Sequence, residues 1–246
     1  MPTSLDKKIV FITAVDLNNT EVYKQHCIES WQKWCNKNSI ELFVCEELHE
    51  ATHPRWVRYH AFKILKSAGI KFNQIALVDL DTCIHPECDN FFELTNGELA
   101  ATLDYDGPWW YTKSLEFYQP HFEGIKLSFD DYFNSGFIVA ELKHEQFFEE
   151  IIKFAKTTEI DSQSEFFTKY RPGYDQTPLN FLAKKLGVKV TILPKRFNLT
   201  HPSCKLSSNL EKYLDIKAVY HFNSMDNEER EFHMKGFNQA VNEVSS

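Results

Sequence analysis

Short runs of aliphatic and β-branched residues alternate along the chain with longer stretches of helical periodicity. In Gln74–Asp81 (QIALVDLD), four apolar residues directly precede two carboxylates, which is typical of a strand buried on both faces of a mostly parallel sheet. Similar runs predict strands at Lys8–Val15, Ile40–Cys45, Glu98–Leu103, Tyr132–Val139, Val188–Leu193 and Lys217–Phe222. Amphipathic periodicity with start and stop signals predicts helices at Glu21–Asn36 (after Thr20), Pro54–Ala68 and His144–Thr157, and another that starts near Asp175. The polar segment Ser162–Tyr170 fits a helix or a mobile loop.

The order of these elements predicts an α/β fold with a Rossmann-like, mixed and mostly parallel sheet flanked by helices. No repeat or linker divides the chain, so we expect a single domain over residues 1–246 with a C-terminal helix over 226–244. The chain has only 8 glycines and no Gly-x-Gly-x-x-Gly after the first strand, which argues against a dinucleotide site of the usual type. Ligands of such sheets bind beyond the carboxyl ends of the strands, where Asp16 and Asp79 both lie.

Composition narrows the classes of function. The chain of 246 residues is 43% hydrophobic, enough for a full core, and its 35 acidic against 27 basic residues argue against a general nucleic-acid binder. The polar start up to Lys8 has no apolar signal-peptide core and no run of 18 apolar residues occurs, so we expect a cytoplasmic protein without a transmembrane segment. The six cysteines lack zinc spacing and are expected to be reduced, with Cys83 and Cys88 as the candidate disulfide pair.

Asp79 and Asp81 are the first candidates for chemistry. They lie two residues apart, so on an extended chain both side chains point to the same side. Two carboxylates that close repel each other and resist burial without a cation. A hard divalent ion with oxygen ligands, which can itself hold phosphate, resolves this conflict. The alternative is that the aspartates only end the strand in a turn.

Three other features fit an anionic sugar ligand. The helix that starts at Pro54 has a cationic side, on which Arg58 is our candidate for holding a phosphate, although a solvated face is the more common explanation of any one such charge. The loop-rich stretch after Asp104 is aromatic, and its rings can stack on sugars or plug a core beneath a loop. Gly136 interrupts a strand, which often marks the close approach of a ligand or another backbone segment.

Taken in order, these segments resemble glycosyltransferases of the GT-A fold, most closely the glycogenin and lipopolysaccharide galactosyltransferase type. The matching pieces run from Ile9 to Ser224 and include the opening strand, the basic helix, VDLDTCI, YFNSGFIVAEL, YDQTPLNFL, LPKRFN and VYHFNS. Trp56-Val57-Arg58 also resembles the Trp-x-Lys of the plant and fungal galactosyl- and xylosyltransferase group. The resemblance implies retaining transfer of a sugar from a nucleoside-diphosphate sugar, expected to be a UDP-sugar, to a glycan or other hydroxyl acceptor.

The resemblance also implies a role for each matching residue. Asp79, Asp81 and His221 are expected to hold Mn²⁺ or Mg²⁺, with Asp79 also reaching the ribose. Gln176 matches the residue near the reacting anomeric carbon, and Asp175 lies beside it. The other matches are expected donor contacts: Ala14 and Asp16 with the base, Asp104 and Asn134 with the sugar hydroxyls, and Asn223 and Ser224 with the diphosphate.

Two departures from the family pattern keep alternatives open. Met225-Asp226-Asn227 stands where Lys-Pro-Trp often follows, and Thr177 replaces the second acid of the usual Asp-Gln-Asp. A nucleotide- or glycan-binding relative without turnover therefore stays possible, as does an inverting reaction with Asp175 as the base. A phosphatase of the haloacid dehalogenase kind also has two aspartates after a strand, but its motif has Thr or Val where Cys83 stands.

Overall fold

The computed structural model describes residues 7–15, 20–51, 53–104, 107–158, 165–170, 173–200 and 215–245. Its strands are β1 (Lys8–Thr13), β2 (Glu41–Cys45), β3 (Gln74–Val78), β4 (Thr82–Ile84), β5 (Leu99–Leu103), β6 (Phe133–Glu141), β7 (Val190–Ile192) and β8 (Val219–His221). Six of them form one sheet in the order β2-β1-β3-β6-β5-β7. Only β6 runs antiparallel to its neighbours there, so the predicted mixed, mostly parallel sheet is confirmed.

Helices cover both faces of this sheet, as predicted. They are α1 (Glu21–Asn38), α2 (Pro54–Val57), α3 (Ala61–Ser67), α4 (Pro108–Tyr118), α5 (Glu145–Thr157), α6 (Glu165–Tyr170), α7 (Gln176–Lys185) and α8 (Asn227–Ser245). Alternate residues of β1 and β3 enter two separate apolar cores, one with α1 and α8 and the other with α3, α5 and α7. Every residue of β3 is buried, which agrees with its unbroken apolar sequence. None of the described helices is both long and apolar enough to cross a bilayer.

Two segments differ from the sequence-based expectation. The helix predicted over Pro54–Ala68 is broken into α2 and α3 by a 3-10 turn at Arg58–His60. The stretch predicted to be loop-rich contains α4, because Pro108 suits a first helical position and Trp110, Tyr111 and Tyr118 pack against neighbouring rings, whereas Trp109 is exposed. The ring centroids of Trp110 and Tyr132, for example, lie 6.2 Å apart.

The candidate disulfide between Cys83 and Cys88 was wrong, since both residues are buried free thiols. Cys83 lies in β4 and Cys88 lies beyond the end of that strand, and the two residues make different contacts. Cys83 Sγ points at the carbonyl of His26 in α1, whereas the backbone carbonyl of Cys88 accepts a hydrogen bond from the indole of Trp34. Thr20 precedes α1 as predicted, but its side chain makes no capping hydrogen bond.

A second, two-stranded sheet positions the candidate site. β4 follows β3 after a three-residue turn and pairs antiparallel with β8, with Thr82 opposite His221. The amide of Phe222 also donates to the carbonyl of Asp81 over 2.8 Å. This ladder therefore places His221 beside the turn that carries Asp79 and Asp81.

Candidate active site

The turn between β3 and β4 brings together the three predicted metal ligands. His221 Nε2 lies 3.6 Å from Asp79 Oδ2 and 3.2 Å from Asp81 Oδ1. One ligand atom from each of the three residues lies within 4.8 Å of the other two. Two carboxylates and one imidazole are a suitable donor set for Mn²⁺ and acceptable for Mg²⁺.

Hydrogen bonds from three elements fix this turn. The Asp79 amide donates to the carbonyl of Gly136 over 3.0 Å, which extends the β3–β6 ladder by one step. The hydroxyl of Thr82 donates to the Asp79 carbonyl over 2.6 Å and accepts from the indole of Trp31 in α1 over 2.9 Å. The two carboxylates are therefore held by the main sheet, by α1 and by β8.

Strand β6 passes directly beside the triad of Asp79, Asp81 and His221, and only glycine fits at the point of closest approach. A Cβ atom on Gly136 would lie 2.3 Å from His221 Cε1 and 2.8 Å from Asp79 Oδ2. Carbon atoms in contact are normally about 3.5–4.0 Å apart. The sequence predicts a close approach at Gly136, and the groups that approach it are side chains of the triad.

A chain of amides orients His221. His221 Nδ1 lies 2.9 Å from Asn198 Oδ1, and Asn198 Nδ2 donates to Asn134 Oδ1 over 2.9 Å. Because Asn198 uses its NH₂ group on Asn134, its oxygen is the acceptor for His221 Nδ1–H. In neutral His221 this leaves the lone pair on Nε2, the nitrogen that faces both carboxylates. Asn198 lies in the LPKRFN motif, but nothing in the sequence marks it as a partner of His221.

The electrostatics of the triad follow from close packing of opposite charges. Burial by itself lowers the pKa of His221, but the carboxylates of Asp81 and Asp79 outweigh it and raise the pKa above its ordinary value. Burial would raise the pKa of Asp81, yet His221 and Arg230 hold it well below the usual range. The two opposite shifts mean that the charged forms of His221 and Asp81 stabilise each other.

Each aspartate of the triad also has its own arginine. Arg58 donates to Asp79 and, over 2.8 Å, to the carbonyl of Ser135. Arg230 in α8 has its Nε atom 3.4 Å from Asp81 Oδ2. The sequence suggested Arg58, but Arg230 stands in the polar run NEERE, where it cannot be distinguished from charges on a solvated helix face.

A cleft of about 320 Å³ lies at the carboxyl ends of β1 and β3 and contains both aspartates and both arginines. Its lining residues are Thr13, Val15, Thr20, Tyr23, Pro54, Arg55, Arg58, Asp79, Leu80, Asp81, Asn227 and Arg230. Two buried polar atoms of this lining, Thr13 Oγ1 and Arg58 Nε, make no hydrogen bond within the described part of the chain. Unsatisfied buried donors beside paired cations fit an anionic, hydrogen-bonding ligand.

Ala14, one of the two residues predicted to contact the base, does not line the cleft. Ala14 is buried in the core and its amide donates to the Cys45 carbonyl, whereas its neighbours Thr13 and Val15 line the cleft. This alternation is expected of an extended segment. Asp16 lies outside the described residues. Contact of Ala14 and Asp16 with a base stays a prediction.

The residues predicted for the donor sugar form one buried network. Asp104 Oδ2 accepts from Gln176 Nε2 over 2.6 Å and from Asn134 Nδ2 over 3.3 Å. Gln176 Oε1 in turn accepts from the Ser135 amide over 3.0 Å. Asn134 joins this network to the triad, because its Oδ1 accepts from both Asn198 and the Gly136 amide. The roles of these residues toward a sugar stay predictions.

The departure at Thr177 has a structural explanation. Thr177 is fully buried, and its hydroxyl lies 2.6 Å from the hydroxyl of Tyr132. Its side chain therefore belongs to the packing of α7 against the sheet. Asp175 precedes α7 without capping it, and its Oδ2 accepts from the hydroxyl of Tyr59 over 2.7 Å.

The segment after β8 contains the residues predicted to approach the diphosphate. Ser224 has a φ angle of +58°, in the left-handed region that favours glycine. The family that the sequence resembles often has a glycine where Asn223 and Ser224 stand, and the backbone of Ser224 is one that glycine adopts readily. Contact of Asn223 and Ser224 with a diphosphate stays a prediction.

Among known proteins, the chain is similar to solved structures but matches no family model and no curated sequence. A glycosyltransferase involved in the glycosylation of the major capsid of PBCV-1 superposes with a TM-score of 0.61 at 11% identity, covering 94% of this chain and 98% of that chain. The apo-form glycosyltransferase GlyE of Streptococcus pneumoniae TIGR4 gives 0.54 at 13% identity, covering 97% of this chain and 62% of that chain. The chain therefore adopts the GT-A fold of glycosyltransferases.

Proposed function

We propose that this protein is a metal-dependent glycosyltransferase that moves a sugar from a nucleoside-diphosphate sugar to a glycan or other hydroxyl acceptor. We propose a UDP-sugar as the donor and retention of anomeric configuration, both of which rest on the resemblance of the sequence motifs. The observation that carries the proposal is the triad of Asp79, Asp81 and His221 at the rim of a cationic cleft in a GT-A fold.

The triad supplies the ligands for a divalent metal, with Mn²⁺ or Mg²⁺ as the proposed ion. Such an ion offsets the negative charge that develops on a departing diphosphate. The protein holds Asp79 and Asp81 in a fixed turn and aims His221 Nε2 between them, so the ligands need little rearrangement. Preorganisation of this kind lowers the entropic cost of binding.

The buried network around Asp104 is the proposed site for the donor sugar. Two amide donors fix the Asp104 carboxylate, and carboxylate oxygens are suitable acceptors for sugar hydroxyls. Gln176 is held by the Ser135 amide and keeps its position near the proposed reacting carbon. The GT-A fold argues against the phosphatase hypothesis, since the structural neighbours with this fold are glycosyltransferases.

A panel of nucleotide sugars, measured by thermal shift with and without Mn²⁺, tests the proposal. We expect a UDP-sugar to raise the melting temperature, and to do so only with Mn²⁺. The shift should be easy to measure, because a ligand at 100 times its Kd stabilises the folded state by about 2.7 kcal/mol. Asp81→Ala should remove both this shift and UDP-sugar turnover. Asp89→Ala is the matched control, because Asp89 pairs with Arg196 on the surface.

Two results would contradict the proposal. Unchanged turnover in Asp81→Ala would show that the triad is not the site of chemistry. Nucleotide binding that is indifferent to Mn²⁺ in the wild-type protein would favour the alternative of a binding protein without turnover. NMR of the first-formed product separates retention from inversion, for which Asp175 is the candidate base.

A further inference from the structure

Arg230 is a nearly buried cation that contacts the metal-ligand aspartate Asp81. Its side chain is 12% exposed, and its Nε atom lies 3.4 Å from Asp81 Oδ2. Backbone carbonyls hold the guanidinium, with Nε donating to Phe222 over 3.0 Å and Nη2 donating to Met225 over 2.9 Å. Its Cζ atom lies 4.9 Å from the ring centroid of Tyr23. The charge is thus fixed in the lining of the cleft.

A divalent metal changes the charge balance around this arginine. A buried charge is costly unless an opposite charge compensates it. Without metal, Asp81 provides that compensation for Arg230, and Asp79 does the same for Arg58. A metal bound to both carboxylates neutralises them, so the two guanidinium groups then need another anion.

A diphosphate supplies the missing negative charge. The two aspartates and a sugar-linked diphosphate together bring four negative charges to the cleft. A divalent ion offsets two of these, and Arg58 and Arg230, the two arginines of the cleft that contact the aspartates, offset the other two. Arg55, the third arginine of the lining, is exposed, and its guanidinium lies 4.0 Å from the ring centroid of Tyr174. Guanidinium groups also suit phosphate oxygens, because their N–H donors form a rigid, planar fork.

We propose that Arg230 is a diphosphate-binding residue that makes metal binding and diphosphate binding cooperative. This inference rests on the proposed function, because it takes the ligand of the cleft to be a nucleoside diphosphate. The metal alone binds poorly, since it leaves Arg230 without a compensating anion. The metal and the diphosphate together balance the charges of Asp79, Asp81, Arg58 and Arg230, so each ligand strengthens the binding of the other by the same factor.

The contacts of Arg230 also fit a purely structural role, which the test must separate from this one. Arg230 bonds to Phe222, Met225 and Asn227 and thereby ties together the segment between β8 and α8. A structural tie depends on the shape of the guanidinium fork, whereas cooperativity depends on its positive charge. Lysine keeps the charge and loses the fork, so Arg230→Lys distinguishes the two roles.

The experiment is a set of calorimetric titrations on the whole chain: Mn²⁺ alone, UDP alone, and Mn²⁺ in the presence of saturating UDP. In the wild-type protein we expect UDP to strengthen Mn²⁺ binding at least about tenfold, which corresponds to about 1.4 kcal/mol. In Arg230→Gln we expect Mn²⁺ alone to bind as tightly or more tightly, and the strengthening by UDP to fall about tenfold. Arg230→Lys should keep most of the cooperativity.

Arg196→Gln is the matched control, because Arg196 makes an exposed ion pair with Asp89 away from the cleft, and it should behave as wild type. Unchanged cooperativity in Arg230→Gln overturns the inference, and so does Arg230→Lys that loses as much as Arg230→Gln. If Arg230→Gln does not fold, the result for Arg230→Lys decides alone. Wild-type protein that binds no UDP even with Mn²⁺ instead refutes the proposed function.

Discussion

Gly136→Ala is the substitution whose effect the structure defines most sharply. The added methyl group would lie 2.3 Å from His221 Cε1, 2.8 Å from Asp79 Oδ2 and 2.9 Å from His221 Nδ1. Because carbon atoms in contact stay about 3.5–4.0 Å apart, the imidazole or the strand must move by more than about 1 Å. The substitution therefore acts on two of the three proposed metal ligands without removing either one.

Neither partner in this clash can move freely. His221 is 3% exposed, and its Nδ1 is bonded to Asn198. Gly136 donates to Asn134 and accepts from the Asp79 amide, so a shift of β6 weakens both hydrogen bonds. Overpacking of a core costs about 1–3 kcal/mol and a lost hydrogen bond about 1 kcal/mol more. We expect the free energy of unfolding to fall by about 2–4 kcal/mol.

The same displacement should lower the affinity for Mn²⁺. Loss of the support of a metal-ligating histidine typically weakens metal binding about 10- to 100-fold, and we expect a decrease in this range. Urea denaturation of the metal-free protein measures the stability term, and calorimetric titration with Mn²⁺ measures the affinity. Gly173→Ala is the control, because its methyl group would meet the Trp110 ring at 3.2–3.3 Å, a tighter contact than normal that small shifts can relieve.

A double-mutant cycle identifies the clash itself. In a His221→Ala background the two contacts of the Gly136→Ala methyl group with the imidazole are gone and only the one with Asp79 Oδ2 remains, so its destabilisation should shrink by at least about 1 kcal/mol. Additive destabilisation by the two substitutions would refute the reasoning, as would wild-type affinity for Mn²⁺ in Gly136→Ala. Either result would mean that β6 does not constrain the imidazole in solution.

Three further predictions follow from the site and the core. Asn198→Ala should lower Mn²⁺ affinity about 10- to 100-fold in calorimetric titration, because His221 loses the acceptor that fixes its tautomer; wild-type affinity would contradict this. Since the pKa of His221 is raised and that of Asp81 lowered, the metal-free protein should lose stability as the pH rises through the raised pKa and as it falls through the lowered one. Mn²⁺ affinity should instead increase with pH as His221 loses its proton, and thermal melts at a series of pH values with and without Mn²⁺ check both trends against His221→Asn. Thiol titration in denaturant without reductant should count six thiols, the five cysteines that the structure describes as free and Cys204, which lies outside the described residues; in the native protein Cys35 and Cys88, whose pKa burial raises to about 12, should react slowly, and fewer than five thiols in denaturant would contradict the free state of the described cysteines.

The sequence predicts the sheet and the acidic turn because both depend on local patterns. Buried strands read as continuous apolar runs, and the change from Val78 to Asp79 marks the end of β3. His221 is different, because its approach to the carboxylates depends on pairing between β4 and β8, which come from opposite halves of the chain. Only the resemblance to a known family suggested it.

The parts of the site that sequence reasoning missed have no local signature. Asn198 acts through its contact with His221, and Arg230 acts from a helix whose other charges give the same pattern. α4 was missed for another reason, since its aromatic residues were interpreted as loop contacts with sugars or with the core. Tertiary packing decides such cases, and periodicity within one segment does not contain that information.

The ladder between β4 and β8 also has a consequence for how the protein folds. It joins segments far apart in sequence, and closing so long a loop is a slow, entropically costly event. The parallel pairing of β1 with β2 and β3 needs only the first third of the chain. The imidazole of His221, in contrast, reaches the two aspartates only when β8 pairs with β4. Uptake of Mn²⁺ during refolding would therefore report the arrival of the last long-range contact, separately from formation of the main sheet.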